Sequence, residues 1–203
     1  MSPPSQRRLV VACAFIAAGA GVILFTKQLA SHAPPLPELH LTNLVQRGDR
    51  WLVAGTTNAF TGLLLDTYED GSKKSRSAVS NGLLNGPSFG WHTNAQLQVE
   101  EHFVAGNSHG LRTKWHPNGR KLSEANVVEG RFQGVFRRWH DNGAIAEEME
   151  LKDGKPDGVS RAYYPSGFAK SRATLRGGRM VEQIFWNDGE HREPAEPDLV
   201  SGK

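Results

Sequence analysis

The sequence predicts an all-β protein, an elongated and twisted antiparallel sheet of stacked β-hairpins that is preceded by one N-terminal transmembrane or signal helix. Three observations in the 203 residues predict this architecture. Glycines recur with a period of 24 residues, and the segments between them alternate in polarity with a period of two. An uncharged apolar run behind two arginines near the N-terminus predicts the helix.

The N-terminal region is predicted to bring the chain to a membrane. Residues 1–8 end in a pair of arginines, and the segment 9–27 begins with 17 uncharged, largely apolar residues, the short end for a membrane-spanning helix. An uncleaved signal anchor is one interpretation, and a secretory peptide cleaved near Ser31-His32-Ala33 is the other. In both cases the arginines stay in the cytoplasm and the remainder is exported. We therefore expect a membrane-anchored chain whose repeats lie outside the cytoplasm, at the bacterial inner membrane facing the periplasm or at the cell surface, or a chain secreted after cleavage.

Four further segments follow this helix. Residues 28–41 are expected to form a stiff Pro-rich linker, and 42–61 a degenerate capping hairpin. The hairpin repeats are assigned to 62–190, and the polar remainder, 191–203, is expected to be a disordered tail.

The repeat is defined by glycines in three registers. The lead glycines, 24 residues apart, are Gly62, Gly86, Gly110, Gly134 and Gly158. Nine residues after them come Gly71, Ala95, Gly119, Gly143 and Gly167, and twenty residues after them come Gly82, Gly106, Gly130, Gly154 and Gly178. Sequences such as Pro117-Asn118-Gly119 favour a tight turn, so each unit is predicted to be a hairpin with a second turn before the next unit.

Period-two alternation predicts two unlike faces. Odd positions after each lead glycine, together with an apolar position 17 residues after it, are expected to form one apolar face. That apolar position holds Val79, Phe103, Val127, Leu151 and Leu175. Even positions are expected to form a polar lattice opposite the repeated glutamates. Its members are Arg112, Lys114, His116, Arg138 and His140, facing Glu100, Glu124 and Glu148.

Two groups of side chains are candidate binding residues. An aromatic row is the candidate partner-binding surface, and it comprises Trp91, Trp115, Trp139 and Tyr163. The alternative is structural, with the rings packed over the lead glycines. A basic strip is the candidate site for anionic lipid or a cell-envelope polymer, and it comprises Arg112, Lys114, Arg137 and Arg138.

The turn motif resembles that of a known family. Trp115-His116-Pro117-Asn118-Gly119, with Glu124 and Gly130 after it, resembles the bacterial MORN-variant repeat, and the next copy is similar. The segment from Arg47-Gly48 to Thr61-Gly62 resembles the lead-in of proteins named YwqK-family antitoxins. The antitoxin resemblance implies neutralisation of a partner toxin by protein binding. Eukaryotic MORN repeats imply membrane-lipid binding or scaffolding by analogy of fold.

No enzyme chemistry is predicted, and we expect no catalytic, cofactor-binding or metal-binding residues. Gly86-Pro87-Ser88-Phe89-Gly90 has the spelling of a hydrolase nucleophile elbow, but that motif needs a helix after the serine. Histidines one repeat apart lie roughly 9–10 Å from each other in successive hairpins, too far to share a zinc ion. We expect a non-catalytic module that binds a protein partner and associates with the membrane through its N-terminal helix. We expect it to bind neither nucleic acid nor a small-molecule substrate.

Overall fold

The computed structural model describes residues 35–192, and within this range the protein is all-β with no α-helix. The predicted helix at 9–27, most of the linker and nearly all of the tail lie outside the described residues. No helix in the described range is long and apolar enough to span a membrane.

The described part of the chain starts with a short strand and a separate hairpin. The elements are β1 (Glu38–His40), a 3-10 turn (Leu41–Asn43), β2 (Leu44–Arg47) and β3 (Arg50–Val53). β2 and β3 pair antiparallel around the turn at Gly48 and form a two-stranded sheet of their own. This is the region where the sequence predicted a degenerate capping hairpin.

The repeats form one sheet of thirteen strands that includes β1. Its other strands are β4 (Gly62–Thr67), β5 (Lys73–Ser80), β6 (Leu83–Trp91), β7 (Leu97–Val104), β8 (Asn107–Ser108), β9 (Gly110–Trp115), β10 (Lys121–Val128), β11 (Arg131–Trp139), β12 (Ile145–Lys152), β13 (Lys155–Tyr163), β14 (Ala169–Arg176) and β15 (Arg179–Phe185). Each strand pairs antiparallel with the next, except that β1 runs parallel to β4 and both β8 and β9 pair with β7. The predicted sheet of successive hairpins is therefore confirmed.

Two kinds of turn join these strands. At the position 20 residues after each lead glycine, a two-residue connection such as Glu129-Gly130 has positive φ at both residues, as a type I′ turn requires. At the position nine residues after it, a single residue with positive φ closes the other turn. Glycine fills that place in four copies, and Ala95 adopts a φ of 63° in the second copy.

The lead glycines lie where successive hairpins bend against each other. Ser77 pairs with Ser88 and Val79 pairs with Leu84, so three residues around Gly86 lie opposite one residue of β5. Such a bulge bends the strand, and the positive φ of the lead glycines is what it requires. A Cβ atom at Gly110 would meet no other atom within 4 Å, and the same holds at Gly134. No aromatic ring of the row is therefore packed over these two lead glycines.

Apolar packing is concentrated at the N-terminal end of the sheet. Leu44, Phe60, Leu64 and Val79 form a buried cluster, and Trp51 packs against it. The backbone fastens this hairpin to the repeats, since the N–H of Trp51 donates to the carbonyl of Gly82 at 2.7 Å. Beyond this cap the strands make their extensive contacts with sheet neighbours, so the repeats form a single layer.

The face assignment made from the sequence is corrected by the register. Lead glycines pair with the apolar position 17 residues later, as Gly110 pairs with Val127, whereas Thr113 pairs with Glu124. Cross-strand partners share a face. The glutamates therefore lie on the face of the odd positions, and the apolar position lies with the even ones. A bulge between Lys121 and Ser123 adds one residue to the return strand and moves its side chains to the other face.

Candidate binding surfaces

The tryptophan face is the face that carries the odd positions of each repeat. Its aromatic row is only partly accessible, because Trp91, Trp115 and Trp139 are half-buried and Tyr163 is buried, with 8% of its surface exposed. The structure therefore places the four predicted aromatic residues at equivalent positions of successive repeats and leaves three of them partly exposed to solvent.

Apolar side chains on the same face increase the accessible apolar area. Leu111 and Val135 precede Trp115 and Trp139 by four residues, and they are 58% and 41% exposed. The amino group of Lys121 lies 5.5 Å from the centre of the Trp139 ring, and such a contact stabilises a cation over an indole. Sequence reasoning identified the aromatic row but did not single out the two exposed aliphatic residues beside it.

An ion pair lies between these apolar residues. Arg137 Nε lies 2.7 Å from Glu148 Oε1, and the two side chains are only 12% and 10% exposed. Glu148 is cross-strand partner to Arg137 on one side and to Arg161 on the other. Lys121 forms a second pair on this face with Glu124, at 2.7 Å. The glutamates thus neutralise basic residues of the tryptophan face rather than those of the opposite face.

The histidines of the repeat hydrogen-bond the next repeat. Nε2 of His92 lies 2.9 Å from the carbonyl oxygen of Trp115, and the same bond recurs from His116 to Trp139 and from His140 to Tyr163. A carbonyl only accepts, so Nε2 carries the proton in each case. The sequence placed these histidines in a polar lattice opposite the glutamates. In the structure they instead make specific hydrogen bonds between repeats.

An asparagine in the turns of the second, third and fourth copies makes another contact between repeats. The Oδ1 atom of Asn118 accepts the N–H of Arg120, and its Nδ2 atom donates 2.8 Å to the carbonyl of Asp141 in the next turn. Asn94 and Asn142 do the same. Asp70 takes this place in the first copy, where hydrogen bonds from the hydroxyl and N–H of Ser72 hold the pKa of Asp70 below its ordinary value.

The pocket face is the opposite face, which carries the even positions. Between the third and fourth copies it contains a cavity of about 230 Å³. The lining includes three basic side chains and two phenylalanines, and its residues are Arg112, Lys114, Leu122, Ser123, Ala125, Phe132, Phe136 and Arg138. No carboxylate belongs to that lining, so the cavity favours a negatively charged group.

The three cations of the pocket differ in their partners. Arg112 Nε lies 3.3 Å from a Glu101 carboxylate oxygen, without the alignment of a hydrogen bond, and Arg138 lies 3.0 Å from Glu147. Lys114 has no ion-pair partner among residues 35–192. Lys114 is therefore the cation of this pocket that is most available to an added anion.

The predicted basic strip is divided between the two faces. Arg112, Lys114 and Arg138 come together in the pocket, whereas Arg137 points to the tryptophan face and pairs with Glu148. The phenylalanines that complete the pocket were not predicted. Phe132 and Phe136 lie edge to face with their ring centres 6.4 Å apart, and their four-residue spacing across the bulge is the signal that could have identified them.

The residues considered for chemistry have ordinary structural contacts. Ser88 lies within β6, its hydroxyl is 2.7 Å from that of Ser77, and the strand continues to Trp91 rather than turning into a helix. Within the described range, no three His, Cys, Asp or Glu side chains are grouped so as to hold a metal ion.

Comparison with known proteins assigns this chain to no family. No protein family and no curated protein matches the sequence. Solved structures do match, among them a mutant of S. aureus TarM in complex with fondaparinux, alpha-GlcNAc-glycerol and UDP, which is 9% identical with a TM-score of 0.31. That match covers 48% of this chain and 19% of the TarM chain.

Proposed function

We propose that this chain is a non-catalytic, membrane-anchored repeat module that binds a protein partner through its tryptophan face on the exported side of the membrane. The observation that carries the proposal is that Leu111 and Val135 stay exposed on the same face of a single layer of sheet as half-buried Trp115 and Trp139. Apolar side chains that stay exposed on one face of a regular surface are typical of protein-binding sites.

The chemistry of the face fits a protein better than a charged polymer. Tryptophan and arginine are enriched among residues that contribute most to protein interfaces. Here the Arg137 charge is already neutralised by Glu148, so the surface offers apolar area with a satisfied polar group at its centre. The Trp-His-x-Asn-Gly turns of the third and fourth copies support assignment to the MORN-variant repeats.

Affinity capture from the membrane fraction tests the tryptophan face. The test variant is Leu111→Asp combined with Val135→Asp, which places charges on the face without touching the aromatic rings. The matched control is Leu36→Asp with Val45→Asp, two comparably exposed apolar residues that precede the repeats. We expect partner recovery to be lost in the first variant and kept in the second. Equal recovery in both would show that the partner binds elsewhere.

The membrane location rests on the apolar segment at 9–27 and is tested separately. Alkaline phosphatase fused after Lys203 should be active, because that enzyme works only outside the cytoplasm, and a fluorescent protein at the same place should stay dark. The opposite pattern would favour the antitoxin-like alternative, since neutralisation of a cytoplasmic toxin requires a cytoplasmic domain.

The cavity on the pocket face supports a second candidate function, the binding of an anionic lipid headgroup or cell-envelope polymer. Lys114 and Arg138 line it beside two aromatic rings. Co-sedimentation with anionic vesicles should weaken as salt rises and fall in Lys114→Ala with Arg138→Ala. Arg179→Ala removes a cation from the far end of the sheet and is the control. Sedimentation that is independent of salt or of these residues would eliminate the pocket as the anion site.

A further inference from the structure

The strand β15 leaves one edge of the sheet open. All seven of its residues are exposed, and it pairs with β14 on one side only. On its other side no strand of the described range is present. The opposite end of the sheet differs, because β1 covers β4 there and the β2–β3 hairpin packs over the first repeat. Within residues 35–192, the repeats are therefore capped at the beginning but not at the end.

The register of β15 shows which backbone groups point outward. The N–H of Trp186 donates to the carbonyl of Lys170, toward β14. From Glu182 to Phe185 the pairing with β14 is regular, so the backbone N–H and C=O groups of successive residues point alternately toward β14 and toward the open edge. The backbone N–H and C=O groups of Ile184 and Glu182 therefore also point toward β14, whereas those of Gln183 and Phe185 point to the open edge.

Beyond a bulge at Val181, the edge from Glu182 to Phe185 lacks the lysine and proline that usually protect an edge strand from pairing. Natural edge strands carry lysine, proline or inward charges that discourage another strand from adding. β15 contains neither lysine nor proline, and its apolar residues Val181 and Phe185 are 59% and 66% exposed. Its charged residues are Arg179 near the type I′ turn and Glu182.

We propose that two copies of this chain pair antiparallel through β15, about a two-fold axis at Gln183, to form one continuous sheet. In this register Gln183 exchanges both backbone hydrogen bonds with Gln183 of the second copy. Phe185 comes opposite the second copy's Val181, the exposed residue at which β15 bulges against β14, so apolar side chains meet on each side of the axis. Glu182 lies across from Ile184, and no like charges meet.

The neighbouring two-fold register is less favourable. An axis at Glu182 would place two glutamates directly opposite each other in the close, non-hydrogen-bonded type of pair, where like charges destabilise the sheet. It would also direct the central backbone groups away from the second copy. Self-complementarity of an edge about Gln183 is the property that a two-fold dimer requires. The proposal uses a surface separate from the tryptophan face and does not depend on the proposed partner.

Disulfide trapping tests both the dimer and its register. The full chain, with its single cysteine removed as Cys13→Ser, is oxidised after introduction of Gln183→Cys. Residues in such a central pair have Cα atoms about 5.5 Å apart, within reach of a disulfide. We expect a covalent dimer from Gln183→Cys and little from Glu182→Cys. Efficient trapping of Glu182→Cys without Gln183→Cys would overturn the register.

Sedimentation of the full chain in detergent, measured over a wide concentration range, tests the association itself. We expect a monomer–dimer equilibrium that Gln183→Pro shifts to monomer, because proline removes an N–H that points outward and leaves the β14 pairing intact. Thermal unfolding of Gln183→Pro checks that the fold is kept. A wild-type chain that stays monomeric overturns the proposal and indicates that the segment after Arg192, or a strand of another protein, covers β15. A dimer that Gln183→Pro does not weaken also overturns the proposal.

Discussion

The Nε2 atom of His116 lies 3.0 Å from the carbonyl oxygen of Trp139, one repeat further along the chain. The residue six positions after each lead glycine makes this contact in every copy, through tyrosine hydroxyls at Tyr68 and Tyr164 and through imidazoles in between. Hairpins that contact only their neighbours are stabilised by the interfaces between them. This bond is therefore one of the repeated contributions that hold the sheet together.

Replacement of His116 by phenylalanine should destabilise the protein by about 1–2 kcal/mol, because the carbonyl of Trp139 loses its donor while the ring volume is kept. His116→Tyr is the matched variant, since tyrosine donates from the same position in the first and fifth copies. We expect His116→Tyr to lose clearly less stability than His116→Phe in urea unfolding. Equal losses would show that the hydrogen bond adds nothing.

Loss of the amide donor of Asn118 should by itself destabilise the protein. In Asn118→Asp the carboxylate still accepts the N–H of Arg120, but it cannot donate to the carbonyl of Asp141 and repels it instead. We expect a loss of about 1–2 kcal/mol in chemical unfolding. Asp70→Asn is the reverse change, and it should stabilise the first interface or leave it unchanged. Greater stability of Asn118→Asp would contradict this role of the amide.

Replacement of Ala95 by glycine should stabilise the folded protein. Its φ of 63° is costly for any residue with a Cβ atom, and glycine occupies the same place in the other four copies. We expect Ala95→Gly to raise the free energy of unfolding by about 0.5–1 kcal/mol, after part of the gain is offset by the freer unfolded chain. Gly119→Ala is the opposite change, at φ 81°, and should lower the midpoint of thermal unfolding. A lower midpoint in Ala95→Gly would contradict the strain.

The hairpins were predictable because their signals are local. Turn residues such as Pro117-Asn118-Gly119 and Glu129-Gly130 determine where the chain reverses, and alternation defines the strands between them. The departure of Ala95 from the glycine pattern was also visible in the sequence. The positive φ of Ala95 was not visible, because alanine itself does not favour it and the hydrogen bond from its N–H to the carbonyl of His92 closes the same turn without a glycine.

The two faces were not predictable from alternation alone. A uniform period of two places Trp115 on the same side as the apolar position at Val127, and the bulge between Lys121 and Ser123 reverses that relation. Alternation alone correctly separates Arg112 and Arg138, which line the pocket, from Arg137 on the tryptophan face. Contacts of the histidines with the next repeat were also missed, because they join residues 23 positions apart.

The adjacent residues Glu147 and Glu148 should differ sharply in their contribution to stability. Glu148 is buried on the tryptophan face at 2.7 Å from Arg137, so Glu148→Ala leaves a poorly hydrated guanidinium without this carboxylate and should cost about 3 kcal/mol. Glu147 pairs with Arg138 on the pocket face, where the arginine is half exposed, and Glu147→Ala should cost less than about 1 kcal/mol. Urea unfolding of both variants gives the comparison. High salt should reduce the effect of Glu147→Ala more than that of Glu148→Ala, because buried pairs are screened less. Equal stability of the two variants would show that burial does not determine how much these two ion pairs contribute.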